Sequence, residues 1–228
     1  MTLRVYKDVE QRSDEWFKLR LGIVTASTVG KLVTPKTVKP ASNDDSRGAA
    51  LTLAAERITG TSEPSFINTD MQRGIEHEPY ARDEYEKRTG AKVTEVGFMA
   101  RDFDGFTIGY SPDGLVADGG LIEIKCPRPK AHVKSIVTNS VPTIYMAQIQ
   151  AALLVSGREW VDFVSFVGGL PLFTKRVGPD ARWFDAITEA AATCEKAIDQ
   201  IVTDYEQATH GLPLTERVPD LFEVELKF

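Results

Sequence analysis

Apolar and polar residues alternate over 122–126, within a predicted strand 121–126, with Ile122, Ile124 and Cys126 on one side and Glu123 and Lys125 on the other. The turn residues Asp118-Gly119-Gly120 precede this run. Segment 111–127 therefore predicts a β-hairpin whose short first strand reaches Asp113. Elsewhere the apolar spacing is helical. Ser13 opens a short helix to about residue 21, ended by Gly22, and Ser27 sits near the N-cap of a second helix over 29–33. Residues 34–45, polar with two prolines, predict a mobile loop. Helices at 46–59, stopped by Gly60, and at 69–89, closed by Gly90, are separated by a loop at 61–68. Strands at 92–100 and 106–110 precede the hairpin. Helices at 130–138 and 142–155 follow it, then a second hairpin of 159–167 and 171–177 joined at Gly168-Gly169, then a helix over 180–208. In the tail, Phe222, Val224, Leu226 and Phe228 alternate with charged residues, the pattern of an edge strand or a subunit contact. Helices on either side of a central mixed sheet predict an α/β (α+β) fold, with residues 1–228 as one domain.

Composition narrows the class. A length of 228 residues, 42% hydrophobic and 26% charged, suits a soluble globular chain with a sizeable core. No apolar run reaches membrane-spanning length and the first residues lack a signal-peptide core, so the expected location is the cytoplasm. Cys126 and Cys194 match no disulfide framework or thiolate metal motif, and two cysteines exclude an iron–sulfur cluster. Both are expected to be reduced and buried. The net charge of −6 runs against the basic balance common in nucleic-acid proteins. Local charge differs: residues 18–47 hold six Lys or Arg against two acids, and 124–134 hold four basic residues and no acid. Such segments beside an acidic site suit a phosphate backbone, and they equally suit solvated surface.

The candidate chemistry centres on Asp113, Glu123 and Lys125. Two converging carboxylates repel, a divalent cation removes that repulsion, and a nearby ammonium can hold an attacking water, which is the arrangement for metal-assisted phosphodiester hydrolysis. The local pattern also fits a plain Ser-Pro-Asp-Gly turn and a solvated Glu/Lys face. Glu78 shares an inward helical face with Ile75 and Tyr85, so it needs a metal or an Arg partner. His77 points elsewhere and is read as a non-ligand. Gln148 lies on an apolar stripe with Ile144, Ala151 and Val155, where it either bonds core backbone or touches substrate; Gln150 projects from another side. Arg20, Thr25 and Ser27 cluster at a junction of two helices and make either a phosphate site or ordinary capping.

Five stretches carry a resemblance: EWFKLRLGIVTAST (15–28), RGIEHEPYARDEYE (73–86), YSPDGL (110–115), LIEIKCP (121–127) and YMAQIQ (145–150). In this order and spacing the chain resembles the lambda-exonuclease or YqaJ-type viral recombinase nucleases of the PD-(D/E)xK superfamily. The resemblance implies a restriction-endonuclease-like core, with N-terminal helices 13–60 lining the DNA site, a catalytic core over 69–177, and a C-terminal helix and tail over 180–228. It implies 5′-to-3′ degradation of one strand of linear duplex DNA with Mg²⁺, two ions with DNA bound and Mn²⁺ as a substitute, leaving a 3′ overhang for recombination by annealing. Glu78, Asp113, Glu123 and the Ile124 carbonyl would be metal ligands, and Lys125 would orient the water. Arg20, Thr25, Ser27, Ser111 and Gln148 would hold the 5′-phosphate, and Met71 would be the wedge that splays the terminal base pair. A second basic residue of the pocket should lie beyond residue 33, with Lys36, Lys39 and Arg47 all open. Partners implied are a homotrimeric ring, a phage-type single-strand annealing protein and, for a phage or prophage product, the bacterial host cytoplasm. An endonuclease of the same superfamily and an inert DNA-binding module are the competing readings.

Overall fold

The protein is described by a computed structural model covering residues 1–62, 69–216 and 218. In chain order its elements are β1 (Thr2–Tyr6), α1 (Asp14–Arg20), β2 (Val24–Thr25), α2 (Ala26–Leu32), β3 (Val33–Thr34), β4 (Lys39–Pro40), α3 (Asp44–Thr59) and α4 (Thr69–Thr89). There follow β5 (Val93–Thr94), β6 (Phe98–Asp102), β7 (Thr107–Tyr110), β8 (Gly114–Val116), β9 (Gly120–Lys125) and α5 (Pro129–Thr138). A 3₁₀ turn at Thr143–Tyr145 leads into α6 (Met146–Ser156), then β10 (Trp160–Ser165), β11 (Phe173–Val177) and α7 (Ala181–Thr209). No described helix is long and apolar enough to cross a membrane.

The fold is mixed α/β with helices flanking mixed sheets, but the strands form two principal sheets where one was expected. One runs β1-β6-β7-β2, the other β11-β10-β9-β8-β5, with β3-β4 as a separate pair. Each principal sheet holds one parallel pair, β2 with β7 and β9 with β10. The division has two causes. The expected strand 92–100 breaks at Gly97, where a Cβ would lie 1.8 Å from the Val9 carbonyl oxygen, so β5 and β6 join different sheets. The passage from β7 to β8 crosses Pro112, which has no N–H to give a ladder. Asp113 therefore falls between strands rather than ending one.

Three further expectations change. Residues 34–45 contain the antiparallel β3–β4 pair rather than only a loop. Helix α2 begins at Ala26 with Thr25 as its N-cap, so Ser27 lies inside the first turn. Ile144 sits in the 3₁₀ turn and is exposed, so it does not share an inward stripe with Gln148; Gln150 is the fully buried amide, donating to the Gly178 carbonyl and accepting from Asp180 N–H. The 222–228 tail and most of the 61–68 loop lie outside the described residues. Cys126 and Cys194 are buried and free, and burial pushes both thiols up to about 11.

Packing fixes the orientation of the site. The even-numbered side chains of β9, Ile122 and Ile124, and Cys126 just beyond it, pack with Ala81 and Tyr85 of α4, while Leu121 joins the larger core with α6 and α7. Asp162 on β10 is buried and accepts from Tyr85 Oη at 2.8 Å and from both Nε and Nη2 of Arg176. The Arg176 guanidinium lies 3.5 Å from the Trp160 ring centroid. This network ties α4 to the sheet and so aims Glu78. We expect Tyr85→Phe to cost about 1 kcal/mol, read as a lower urea midpoint with an unchanged slope.

Candidate active site

Asp113 stands where the two principal sheets part. Extended beyond Gly114, the β8–β9 register would set Pro112 opposite Ile124. Instead the Asp113 carboxylate takes over the ladder: Ile124 N–H donates to its Oδ2 at 2.6 Å. Glu123 is fully buried, and its Oε1 accepts from Lys125 Nζ at 2.6 Å and from Gln148 Nε2. Its Oε2 is buried without a hydrogen-bond partner, as is the hydroxyl of nearby Tyr110. Glu78 arrives from α4 with 23% of its side chain exposed; its Oε1 accepts from Arg82 Nη2 at 2.8 Å, and Arg12 Nη2 lies 3.8 Å from Oε2. Arg82 also donates to the Asp113 carbonyl and pairs with Glu95, fastening α4 to the sheet junction. Pro79 follows Glu78 inside the helix and supplies no N–H to the Ile75 carbonyl.

The electrostatics are those of crowded carboxylates. Burial, then the Glu123 charge, raises the Asp113 carboxyl well above its ordinary value, with Glu78 adding and Lys125 opposing. Burial also raises Glu78, against Arg82 and Arg12. Burial alone would lower Lys125, but Glu123 and Asp113 outweigh it and its pKa rises, so it is an ammonium at neutral pH. Hard oxygen donors, mutual repulsion and the orphaned Glu123 Oε2 are what a Mg²⁺-type cation satisfies. Among the described residues no three His, Cys, Asp or Glu side chains already stand at metal-holding spacing. In this arrangement protein donors engage them instead: Lys125 and Gln148 on Glu123, the Ile124 N–H on Asp113, and Arg82 on Glu78.

Beside these groups opens a cavity of about 170 Å³, lined in part by Glu78, Asp113, Arg20, Ser27, Ser111 and Gln148. The Arg20 guanidinium stacks on Trp16 at 4.1 Å, and both Arg20 Nη1 and Trp16 Nε1 donate to Ser111 Oγ, at 3.0 and 2.9 Å. A hydroxyl that accepts twice has its own proton left to donate. Burial lowers Arg20 to about 10, with Glu56 opposing weakly, and among the described residues no carboxylate lies at ion-pair distance from it. A partly buried cation facing hydroxyls without an acid is suited to an anion.

The structure thus brings Glu78, Asp113, Glu123, Lys125, Arg20, Ser27, Ser111 and Gln148 together. Thr25 is buried behind Ser27, its Oγ1 within 3.0 Å of the Ser27 and Thr28 hydroxyls, and it does not line the cavity. Met71, 47% exposed in the first turn of α4, does not line it either. Lys36, Lys39 and Arg47 are also outside it, Arg47 pairing with Asp44. His77 faces Phe166. Sequence reasoning missed Trp16, Arg12, Gln11, Tyr110 and Arg82. The i,i+4 spacing of Trp16 and Arg20 was an available signal for one of them.

Asp113 makes the stability of the metal-free protein depend on pH. Its folded pKa lies above its unfolded value of about 3.9. Its contribution to stability is therefore fully present below the unfolded value and is lost as pH rises through the folded one. With chelator present, Asp113→Asn should melt increasingly above the native protein as pH is raised from 4 to 8. A Tm difference that stays flat or reverses over that range would refute the assignment.

The YqaJ-like viral recombinase domain model matches residues 15–159. A crystal structure of the alkaline exonuclease LHK-Exo from Laribacter hongkongensis is similar at 36% identity and TM-score 0.77, covering 88% of this chain and 100% of that chain; LHK-Exo in complex with dAMP matches equally. A phage related exonuclease from Haemophilus somnus 129PT shares the fold at 19% identity and TM-score 0.61, covering 80% of this chain and 96% of that one. No curated protein sequence matches significantly. By the family match over most of its length and the likeness to an alkaline exonuclease, the chain belongs to the YqaJ-like viral recombinase domain family, with the PD-(D/E)xK nuclease fold.

Proposed function

We propose that this protein is a metal-dependent exonuclease that degrades one strand of linear duplex DNA from a 5′-phosphorylated end and leaves a 3′ single-stranded overhang. The observation that carries the reading is Arg20, partly buried and without a carboxylate partner among the described residues, on the same small cavity as Glu78 and Asp113. An anion pocket beside the catalytic carboxylates counts a fixed short distance from a chain end, which an endonuclease does not need. The relative crystallised with dAMP, a 5′-mononucleotide, fits a product of this kind.

Glu78, Asp113, Glu123 and the Ile124 carbonyl would hold Mg²⁺, two ions with DNA present and Mn²⁺ as a substitute. The metal supplies Lewis-acid activation of water and stabilisation of the leaving 3′-oxygen. Lys125, kept cationic by Glu123 and Asp113, positions the attacking water and stabilises charge at phosphorus rather than acting as a base. Arg20, Ser27, Ser111 and Gln148 hold the terminal phosphate, with Thr25 supporting Ser27. Met71 is the wedge at the terminal base pair. Residues 1–228 act as one nuclease unit in a homotrimeric ring around DNA, working with a single-strand annealing protein in phage-type recombination within the bacterial cytoplasm.

End-labelled linear duplexes test this reading. Mononucleotide release should require Mg²⁺, stop with chelator, and favour 5′-phosphate over 5′-hydroxyl ends, while a closed circular plasmid stays intact. Cutting of the closed circle would favour the endonuclease instead. Lys125→Ala should slow single turnover roughly 100- to 1000-fold with DNA binding retained by fluorescence anisotropy. A near-normal rate would remove Lys125 from the mechanism.

A further inference from the structure

Arg12 has φ +73°, in the left-handed region that a residue with a Cβ adopts only at a cost. Glycine would be the favoured residue there, and Asn or Asp the tolerated ones. Its side chain is 49% exposed, so burial does not explain an arginine either. Backbone strain that burial does not explain points to a task for the side chain.

The surroundings indicate the task. The position is held firmly on both sides. Gln11 Nε2 donates to the Pro112 carbonyl at 2.8 Å and also reaches the Val96 carbonyl, while Ser13 caps α1 by accepting from Trp16 N–H. Arg12 lines the cavity that holds Arg20, Ser111 and Gln148, and also a second groove of about 280 Å³ that Glu78 borders as well. Its contact with Glu78 Oε2, at 3.8 Å, is at the loose limit of an ion pair, whereas Arg82 already holds the other oxygen at 2.8 Å. Glu78 has its structural partner, and Arg12 is free to re-aim.

Charge balance gives the direction. A terminal phosphate monoester carries roughly −1.5 to −2 at neutral pH, and Arg20 supplies one positive charge. Ser27 and Ser111 are neutral. Lys36, Lys39 and Arg47 do not line the cavity.

We infer that Arg12 is the second cation of the anion pocket, swinging from Glu78 onto the terminal phosphate of a 5′-phosphorylated DNA end and setting the preference for it. The inference rests on the exonuclease reading above. The planar fork of a guanidinium matches two phosphate oxygens. Leaving Glu78 as the phosphate arrives also removes a competing positive charge from that carboxylate.

The test compares initial rates on matched linear duplexes with 5′-phosphate or 5′-hydroxyl ends, in the native protein, Arg12→Gly and Arg12→Lys. The ratio is taken within each protein, so any loss of folded material cancels. Arg12→Gly should lower the phosphate-to-hydroxyl ratio by roughly tenfold or more, through a raised KM for phosphorylated ends, and should melt no lower than the native protein because glycine relieves the backbone. Arg12→Lys should keep part of the preference. A ratio unchanged in Arg12→Gly overturns the assignment while leaving the pocket intact. A native protein that digests both ends equally sinks the pocket reading, and Arg12 with it.

Discussion

Glu123 is a fully buried acid beside Asp113, and the rest of the site is arranged around that electrostatic cost. A carboxylate without water needs donors or a cation. Here Lys125 and Gln148 satisfy one oxygen and leave the other bare. Asp113 answers its share of the repulsion by holding more tightly to its proton and by taking the Ile124 N–H. Crowding carboxylates in this way costs stability that a bound cation would return.

The location of the acids follows from how strands end. Pro112 interrupts the passage between β7 and β8, and Gly97 passes too close to Val9 for any side chain. The chain therefore changes sheets twice within a short span, and the seam exposes groups that a continuous ladder would have consumed. Asp113 lies on one lip of that seam, Ser111 beside it, and Arg82 clamps α4 across it. The core positions the site from behind, through Tyr85, Asp162 and Arg176 on one face of the sheet and α6 on the other.

Much of this was legible in the chain because it is local. The alternation at 122–126 separated Ile122, Ile124 and Cys126, which pack on α4, from Glu123 and Lys125, and Gly60 and Gly90 marked two helix ends where they occur. Glu78 was placed inward by its spacing to Tyr85, and the structure finds it on the same cavity as Asp113. What was not legible is non-local. Whether Thr25 or Ser27 caps α2 depends on backbone angles that residue type does not set. One sheet or two is decided by pairing between distant strands. That the Trp16 N–H is spent on Ser111, while its ring supports Arg20, depends on a residue 95 positions away in the chain. Arg12 gave no signal, because a left-handed arginine looks like any surface arginine in a string of letters.

Gln148 carries a consequence of its own. Its amide bonds the buried oxygen of Glu123 while its side chain borders the anion cavity, so one short polar group serves two tasks. Under the exonuclease reading proposed above, grip on a terminus and speed of bond cleavage would share a single mechanical part. On that reading a substitution at residue 148 would alter hold and turnover together, and neither could be tuned alone from this helix.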